Sequence, residues 1–201
     1  MENMEMKDQI LTYMREGAFR PLSADALAEG MKRTGAARHA FDAALAELEQ
    51  SAAVIKNRSG LYGLPEHMNL VVGKLSMSGK GYGFIIPDVK LTPADTDVFV
   101  PGALLASAMH GDRVVARLSP SPIPGRSREG EIIRIVERAN TKIVGTFAAT
   151  QSFAFVTPDD QKIGQDVFIP KKAFHGAKTG MKVVAEITKW PEGRHNAEGA
   201  I

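Results

Sequence analysis

The sequence predicts a mostly β protein: a small α+β segment of three helices and a hairpin, then two tandem five-stranded barrels. Three observations predict it. Four blocks of sequence recur in the same order. Runs of β-branched and aromatic residues, punctuated by Gly, Pro, Ser and Asp, fill the repeated part. Ahead of the repeat, apolar residues recur at helical spacing instead.

The leading helix is predicted over roughly Met4–Arg15. Next, Ala24, Leu27, Ala28 and Met31 lie at i, i+3, i+4 and i+7 behind Ser23, a good N-cap after Pro21. Phe41, Ala44, Leu45 and Leu48 repeat that spacing within Ala36–Gln50. Val54–Leu64 then reads as two short strands around an Asn57/Gly60 turn, closed by Pro65. These elements assign residues 1–68 to one domain, and three helices followed by a hairpin resemble a winged helix-turn-helix.

The repeat gives the remainder its organisation. Val72-Gly73-Lys74-Leu75 recurs as Val144-Gly145-Thr146-Phe147, and Tyr82-Gly83-Phe84-Ile85-Ile86-Pro87-Asp88 as Phe153-Ala154-Phe155-Val156-Thr157-Pro158-Asp159. Asp97-Val98-Phe99-Val100-Pro101 recurs as Asp166-Val167-Phe168-Ile169-Pro170, and Gly111–Ala116 as Gly180–Ala185. The copies occupy residues 69–139 and 140–201, the second expected to be clipped within its last strand. Strands are predicted at Tyr82–Ile86, Asp97–Val100, Arg113–Leu118 and Glu131–Val136, and about five strands per copy suit a small barrel, which removes exposed edges. Ser119–Arg128 reads as a long loop whose arginines, Arg126 and Arg128, could meet phosphate.

Composition limits the chemistry. The 201 residues contain no cysteine, which excludes a disulfide scaffold, a cysteine-ligated metal and a thiol nucleophile. The N-terminus has neither the basic patch nor the apolar run of a secretory signal, and no stretch approaches the ~20 apolar residues of a membrane helix. A cytoplasmic monomer with no membrane partner is the expectation. Residues 1–69 carry 8 basic and 10 acidic side chains, residues 70–139 carry 9 and 7, and residues 140–201 carry 8 and 6. The modest basic excess therefore lies in the repeated part, a weak pointer to a polyanionic partner. The five histidines are scattered, and Asp95/Asp97 and Asp159/Asp160 read as solvated turns rather than magnesium sites. Ala177-Lys178-Thr179 lacks the glycine of a phosphate-binding loop, and Gly79-x-Gly81 lacks the third glycine of a dinucleotide fingerprint. No catalytic or metal-binding residue can be named.

The aromatics carry the functional signal. Tyr82 and Phe84 point to the same side of a strand because side chains alternate. Glycines at 81 and 83 would leave the backbone bare for flat bases, with Lys80 at the edge. Phe99 on the next strand can complete a three-ring platform, and Phe153, Phe155 and Phe168 repeat it. Such rings either fill the barrel or form an outward platform; Ile85, Val98 and Val100 already supply inward positions, which favours the platform. Bases stack on such platforms while basic side chains follow the phosphates. Lys74, Lys80, Lys171 and Lys172 complete the candidate nucleic-acid-binding set.

Lys80-Gly81-Tyr82-Gly83-Phe84-Ile85 and Val98-Phe99-Val100 resemble the two ribonucleoprotein motifs of cold-shock domains, which are OB-fold barrels. One difference is that Pro101 and Pro170 stand where cold-shock proteins usually carry a histidine. With Asp97–Gly102, His110–Val115 and the leading helical segment, nearly the whole chain resembles the N-terminal region of the bacterial ribonuclease R family. That resemblance implies an RNA-binding module, for single-stranded or structured RNA, of a processive 3′→5′ exoribonuclease. It would capture and guide RNA, and help unwind it, towards a catalytic domain absent from this chain. The same resemblance assigns Mg2+ to that catalytic domain and no cofactor and no hydrolysis to this segment. Two other readings stay open: a DNA-binding regulator acting through Ala36–Gln50, and a protein-docking or autoinhibitory role for residues 1–68.

Overall fold

The structure, a computed structural model, describes residues 2–90, 96–120 and 124–201. It divides into two compact units between Val72 and Gly73. Asp95 and residues 121–123 of the predicted loop lie outside the described residues.

In the first unit, α1 (Glu2–Gly17), α2 (Ala24–Gly30) and α3 (Ala36–Gln50) surround one core. Each helix gives it one stripe: Ile10 and Met14, Leu27 and Ala28, then Phe41, Ala44, Leu45 and Leu48. Ser23 caps α2, its Oγ accepting the Ala26 N–H at 3.1 Å. Strands β1 (Ile55–Lys56) and β2 (Tyr62–Gly63) pair antiparallel, and Leu22 bridges to Tyr62. Asn57 Oδ1 shapes the turn by accepting the Ser59 and Leu61 N–H groups, both at 3.0 Å. Val54 and Leu64 fasten the hairpin to the helical core.

The second unit holds the two copies. Strands β3 (Leu70–Met77), β4 (Gly83–Pro87), β5 (Val98–Val100), β6 (Arg113–Leu118) and β7 (Gly130–Glu137) form a sheet in the order β5-β4-β3-β6-β7. Strands β8 (Lys142–Ala149), β9 (Phe153–Pro158), β10 (Val167–Pro170), β11 (Lys182–Lys189) and β12 (Glu198–Ala200) form a closed barrel in the equivalent order. The second copy, expected to be clipped in its last strand, closes its ring through the three residues of β12, which pair with both β11 and β10. The closing bonds correspond: Phe168 N–H donates to the Ala197 carbonyl at 2.8 Å, and Phe99 N–H to the Arg128 carbonyl at 2.8 Å. Arg128 also donates to the Ser119 carbonyl at 3.3 Å, so this arginine braces the base of the loop rather than standing ready for phosphate.

The cores match position by position. Leu75, Ile85, Val98, Val100 and Ala116 are buried in the first copy, and Phe147, Val156, Val167, Ile169 and Ala185 in the second. Burying each large apolar side chain contributes about 1.5–3 kcal/mol. An ion pair joining strand ends is also duplicated, as Arg113–Asp88 and Lys182–Asp159.

Close strand crossing fixes the curvature. A Cβ on Gly73 would stand 2.1 Å from the Ile86 carbonyl oxygen, and one on Gly145 2.2 Å from that of Thr157. Neither oxygen can retreat without breaking its ladder. Gly73→Ala and Gly145→Ala should therefore each lower stability by about 1–3 kcal/mol in urea unfolding, as overpacked sites do. Gly79→Ala, with nothing within 4 Å of the added methyl, should stay within about 0.5 kcal/mol of the parent. Equal effects at Gly73 and Gly79 would contradict this account of the crossing.

Candidate nucleic-acid interface

The rings are placed by strand register. In the antiparallel β4–β5 pair, Phe84 lies directly opposite Phe99, while Gly83 faces Val100 and Ile85 faces Val98. Alternation then sends Gly83, Ile85, Val98 and Val100 inward, where all four are buried, and leaves Phe84 and Phe99 half-buried on the outer face. Tyr82 joins them. Ring centroids are 6.0 Å apart for Tyr82–Phe84 and 5.6 Å for both Tyr82–Phe99 and Phe84–Phe99, tilted or edge-on. The second copy repeats the set: Phe155 lies opposite Phe168, and Phe153, Phe155 and Phe168 have centroids 5.4–5.9 Å apart. None of the six rings belongs to a barrel core.

The glycines act differently from the sequence reading. Gly83 faces the barrel interior, where an added Cβ would lie 2.8 Å from Leu75 Cδ1 and 3.0 Å from Met77 Sδ, so it offers no bare outer surface. Its counterpart Ala154 is likewise buried and lies opposite Ala149, where Met77 stands opposite Gly83. Gly81 has φ +87°, the left-handed region that lets the turn deliver Tyr82 to β4.

The cations sit around the rings. Lys74 is exposed on β3 opposite Ile86, two positions from Ser76, which faces Phe84, and so shares the outer face with the rings. Lys80 is exposed in the β3–β4 turn. Lys171 and Lys172 are exposed in the single helical turn directly after β10. The position equivalent to Lys74 is Thr146, so the second copy lacks that cation.

Two residues of the His110–Val115 block hold roles that the sequence did not assign. Asp112 is fully buried: its Oδ2 accepts from Met109 N–H at 2.9 Å and Arg138 Nη1 at 3.0 Å, and its Oδ1 accepts from Ala139 N–H at 2.9 Å. The signal was its mismatch, since Met181 fills the matching position in an otherwise repeated block. His110 Nδ1 accepts the Met77 N–H at 3.1 Å, a bond that Thr179 Oγ1 makes to Ala149 N–H in the other copy. Among the described residues, no three of His, Cys, Asp and Glu converge as a metal site would need. Asp97 pairs with Lys90, Asp159 with Lys182, and Asp160 caps the following turn by accepting the Lys162 N–H.

Known proteins match this arrangement. Residues 73–135 match the Ribonuclease B OB domain and residues 155–201 the Cold shock domain. Ribonuclease R of Acidithiobacillus ferrooxidans is 30% identical over 97% of this chain and 44% of its own length. That of Vibrio cholerae is 31% identical over 90% of this chain and 22% of its own. The chain is a relative of ribonuclease R. It spans less than half the length of these relatives. Mycoplasma genitalium RNase R shares the fold, with a TM-score of 0.56 at 19% identity over 65% of this chain and 20% of that one. The same enzyme has also been solved with ribose-methylated single-stranded RNA, and the yeast pseudonuclease Ssd1 matches with a TM-score of 0.54 at 17% identity over 67% of this chain and 22% of that one. No helix is long and apolar enough to cross a membrane, among the described residues.

The His110 bond makes the first barrel sensitive to pH. Burial holds this imidazole below its ordinary pKa; Lys162 and Lys74 push the same way, and Asp160 and Asp112 oppose them. The unfolded chain therefore takes up the proton more readily than the folded one. This contribution to stability is complete above about pH 6.5 and is lost as pH falls from there through the lowered folded value. Urea melts between pH 7.5 and 5 should show the decline, and His110→Thr, which keeps an acceptor without titrating, should flatten it. An unchanged slope in that variant would remove His110 from the account.

Proposed function

We propose that this chain is the single-stranded RNA-binding portion of a ribonuclease R-like 3′→5′ exoribonuclease, capturing RNA and guiding it to a catalytic portion elsewhere in the protein. The duplicated set of three outward rings carries the reading. Three partly buried rings grouped on an outer face leave their remaining apolar surface to water unless something flat covers it, and base–aromatic stacking contributes about 1–3 kcal/mol per base. Tyr82, Phe84, Phe99, Phe153, Phe155 and Phe168 are assigned to bases, and Lys74, Lys80, Lys171 and Lys172 to phosphates. Any Mg2+-dependent hydrolysis belongs to the catalytic portion.

A duplex-DNA role for α3 is less well supported. Arg38, its best cation, is claimed within its own unit by Asp42 at 2.8 Å and Asp25 at 2.7 Å, hydrogen bonds that raise its pKa further. On the same helix Glu47 adds negative charge, held ionised by its hydrogen bonds from Lys7 and Asn3. Lys56 lies over the Tyr62 ring, 5.4 Å from its centroid.

The first copy is the stronger site, because Lys74 and Lys80 flank its rings and the second copy lacks both. Anisotropy titrations of labelled single-stranded RNA should show Tyr82→Ala/Phe84→Ala costing tenfold or more, roughly one stacked base, and more than Phe153→Ala/Phe155→Ala. Affinity should fall with salt at a log–log slope of about −0.7 per phosphate contacted. RNA labelled at its 5′ end should stay full length in the presence of Mg2+. Folded ring variants with undiminished affinity would overturn the assignment, and 3′ shortening by the pure chain would overturn the division of labour.

A further inference from the structure

The segment joining the barrels is tied down at three consecutive residues. Arg138 donates through Nη1 to the Ser107 carbonyl at 2.7 Å and to Asp112 Oδ2 at 3.0 Å, and through Nη2 to Ser107 Oγ at 2.8 Å. Ala139 N–H donates to Asp112 Oδ1, and Asn140 Nδ2 to the His110 carbonyl at 2.6 Å. All of these acceptors lie in the connection between β5 and β6 of the first barrel. That same connection sends Met109, only 7% exposed, into the apolar cluster of the second barrel. The other face of the Arg138 guanidinium lies 4.1 Å from the centroid of Trp190, which follows β11 and packs against that cluster.

One guanidinium thus satisfies a buried carboxylate in one barrel and stacks on an indole of the other. Arginine suits the place, since its planar fork can bond along its edge and stack on its face together, whereas lysine cannot. The buried carboxylate has no counterpart in the other repeat, where Met181 stands in place of Asp112.

We propose that Arg138 is a positioning residue that locks the two barrels into one body, so that the two ring sets engage a single RNA strand as linked sites. The proposal rests on the single-strand reading above. Linking turns the second contact into an intramolecular event, whose gain depends on fixed spacing. RNA long enough to reach both ring sets should then bind far more tightly than RNA reaching one, and loosening the joint should erode only that difference.

The test uses the full chain with Arg138→Met and, in case Asp112 left without its partner unfolds the first barrel, Trp190→Leu, which keeps the Arg138–Asp112 bond. Residual dipolar couplings report whether both barrels share one alignment tensor, without RNA. Anisotropy compares a 4-nucleotide with a 14-nucleotide single strand. The expected result is two diverging tensors, an unchanged short-strand affinity, and loss of about tenfold or more of the long-strand advantage. A merely structural role would weaken both strands alike, and that outcome would overturn the proposal. A single shared tensor in the folded variants, or diverging tensors with the long-strand advantage intact, would also overturn it. If the parent chain binds neither strand, the single-strand reading fails and the linkage falls with it, while the tensors still decide whether Arg138 locks the barrels.

Discussion

The register of two short antiparallel strand pairs decides which face of each barrel carries the rings. Phe84 opposite Phe99 and Phe155 opposite Phe168 place the aromatics outward only while Ile85 faces Val98 and Val156 faces Val167 inside. A slip of one residue would exchange the two faces along the whole pair. It would expose several large aliphatic residues together, at about 1.5–3 kcal/mol each, so the core enforces the position of the surface platform. The glycine crossings at Gly73 and Gly145 and the closing bonds from Phe99 and Phe168 hold that register from either side.

Duplication gave the second copy the same frame but a different surface. The rings persist, whereas the flanking cations move from beside them, Lys74 and Lys80, to the turn after β10, Lys171 and Lys172. Stacking is therefore available on both copies, with charge on successive positions along the chain. The first copy carries the buried Asp112 that holds Arg138, where the second carries Met181.

Much of this was legible because ladder and core residues must match when a barrel is repeated, so the four blocks exposed the strand plan directly. The helical stripes were equally plain: α3 buries all four residues its spacing marks, while α2 buries Leu27 and Ala28, with Ala24 and its C-cap Met31 partly buried against the same core. The ring face was legible from alternation alone. The role of Gly83 was not: a missing side chain does not reveal which neighbour requires its absence, and here that neighbour lies inside the barrel. The interbarrel joint was also hidden, because Arg138 lies outside the repeated blocks and its partners Asp112 and Trp190 are remote in sequence. Arg128 looked free for phosphate only because the carbonyl that claims it belongs to the other end of its own loop.

The most direct test of the central claim, that the outward rings are the contact surface for single strands, is photocrosslinking. Single-stranded RNA carrying 4-thiouridine would be irradiated with the full chain, and the crosslinked peptides mapped by mass spectrometry. Crosslinks at Tyr82, Phe84 and Phe99, with weaker ones at Phe153, Phe155 and Phe168, are the predicted result. Crosslinks confined to α3 and the β1–β2 hairpin would contradict it.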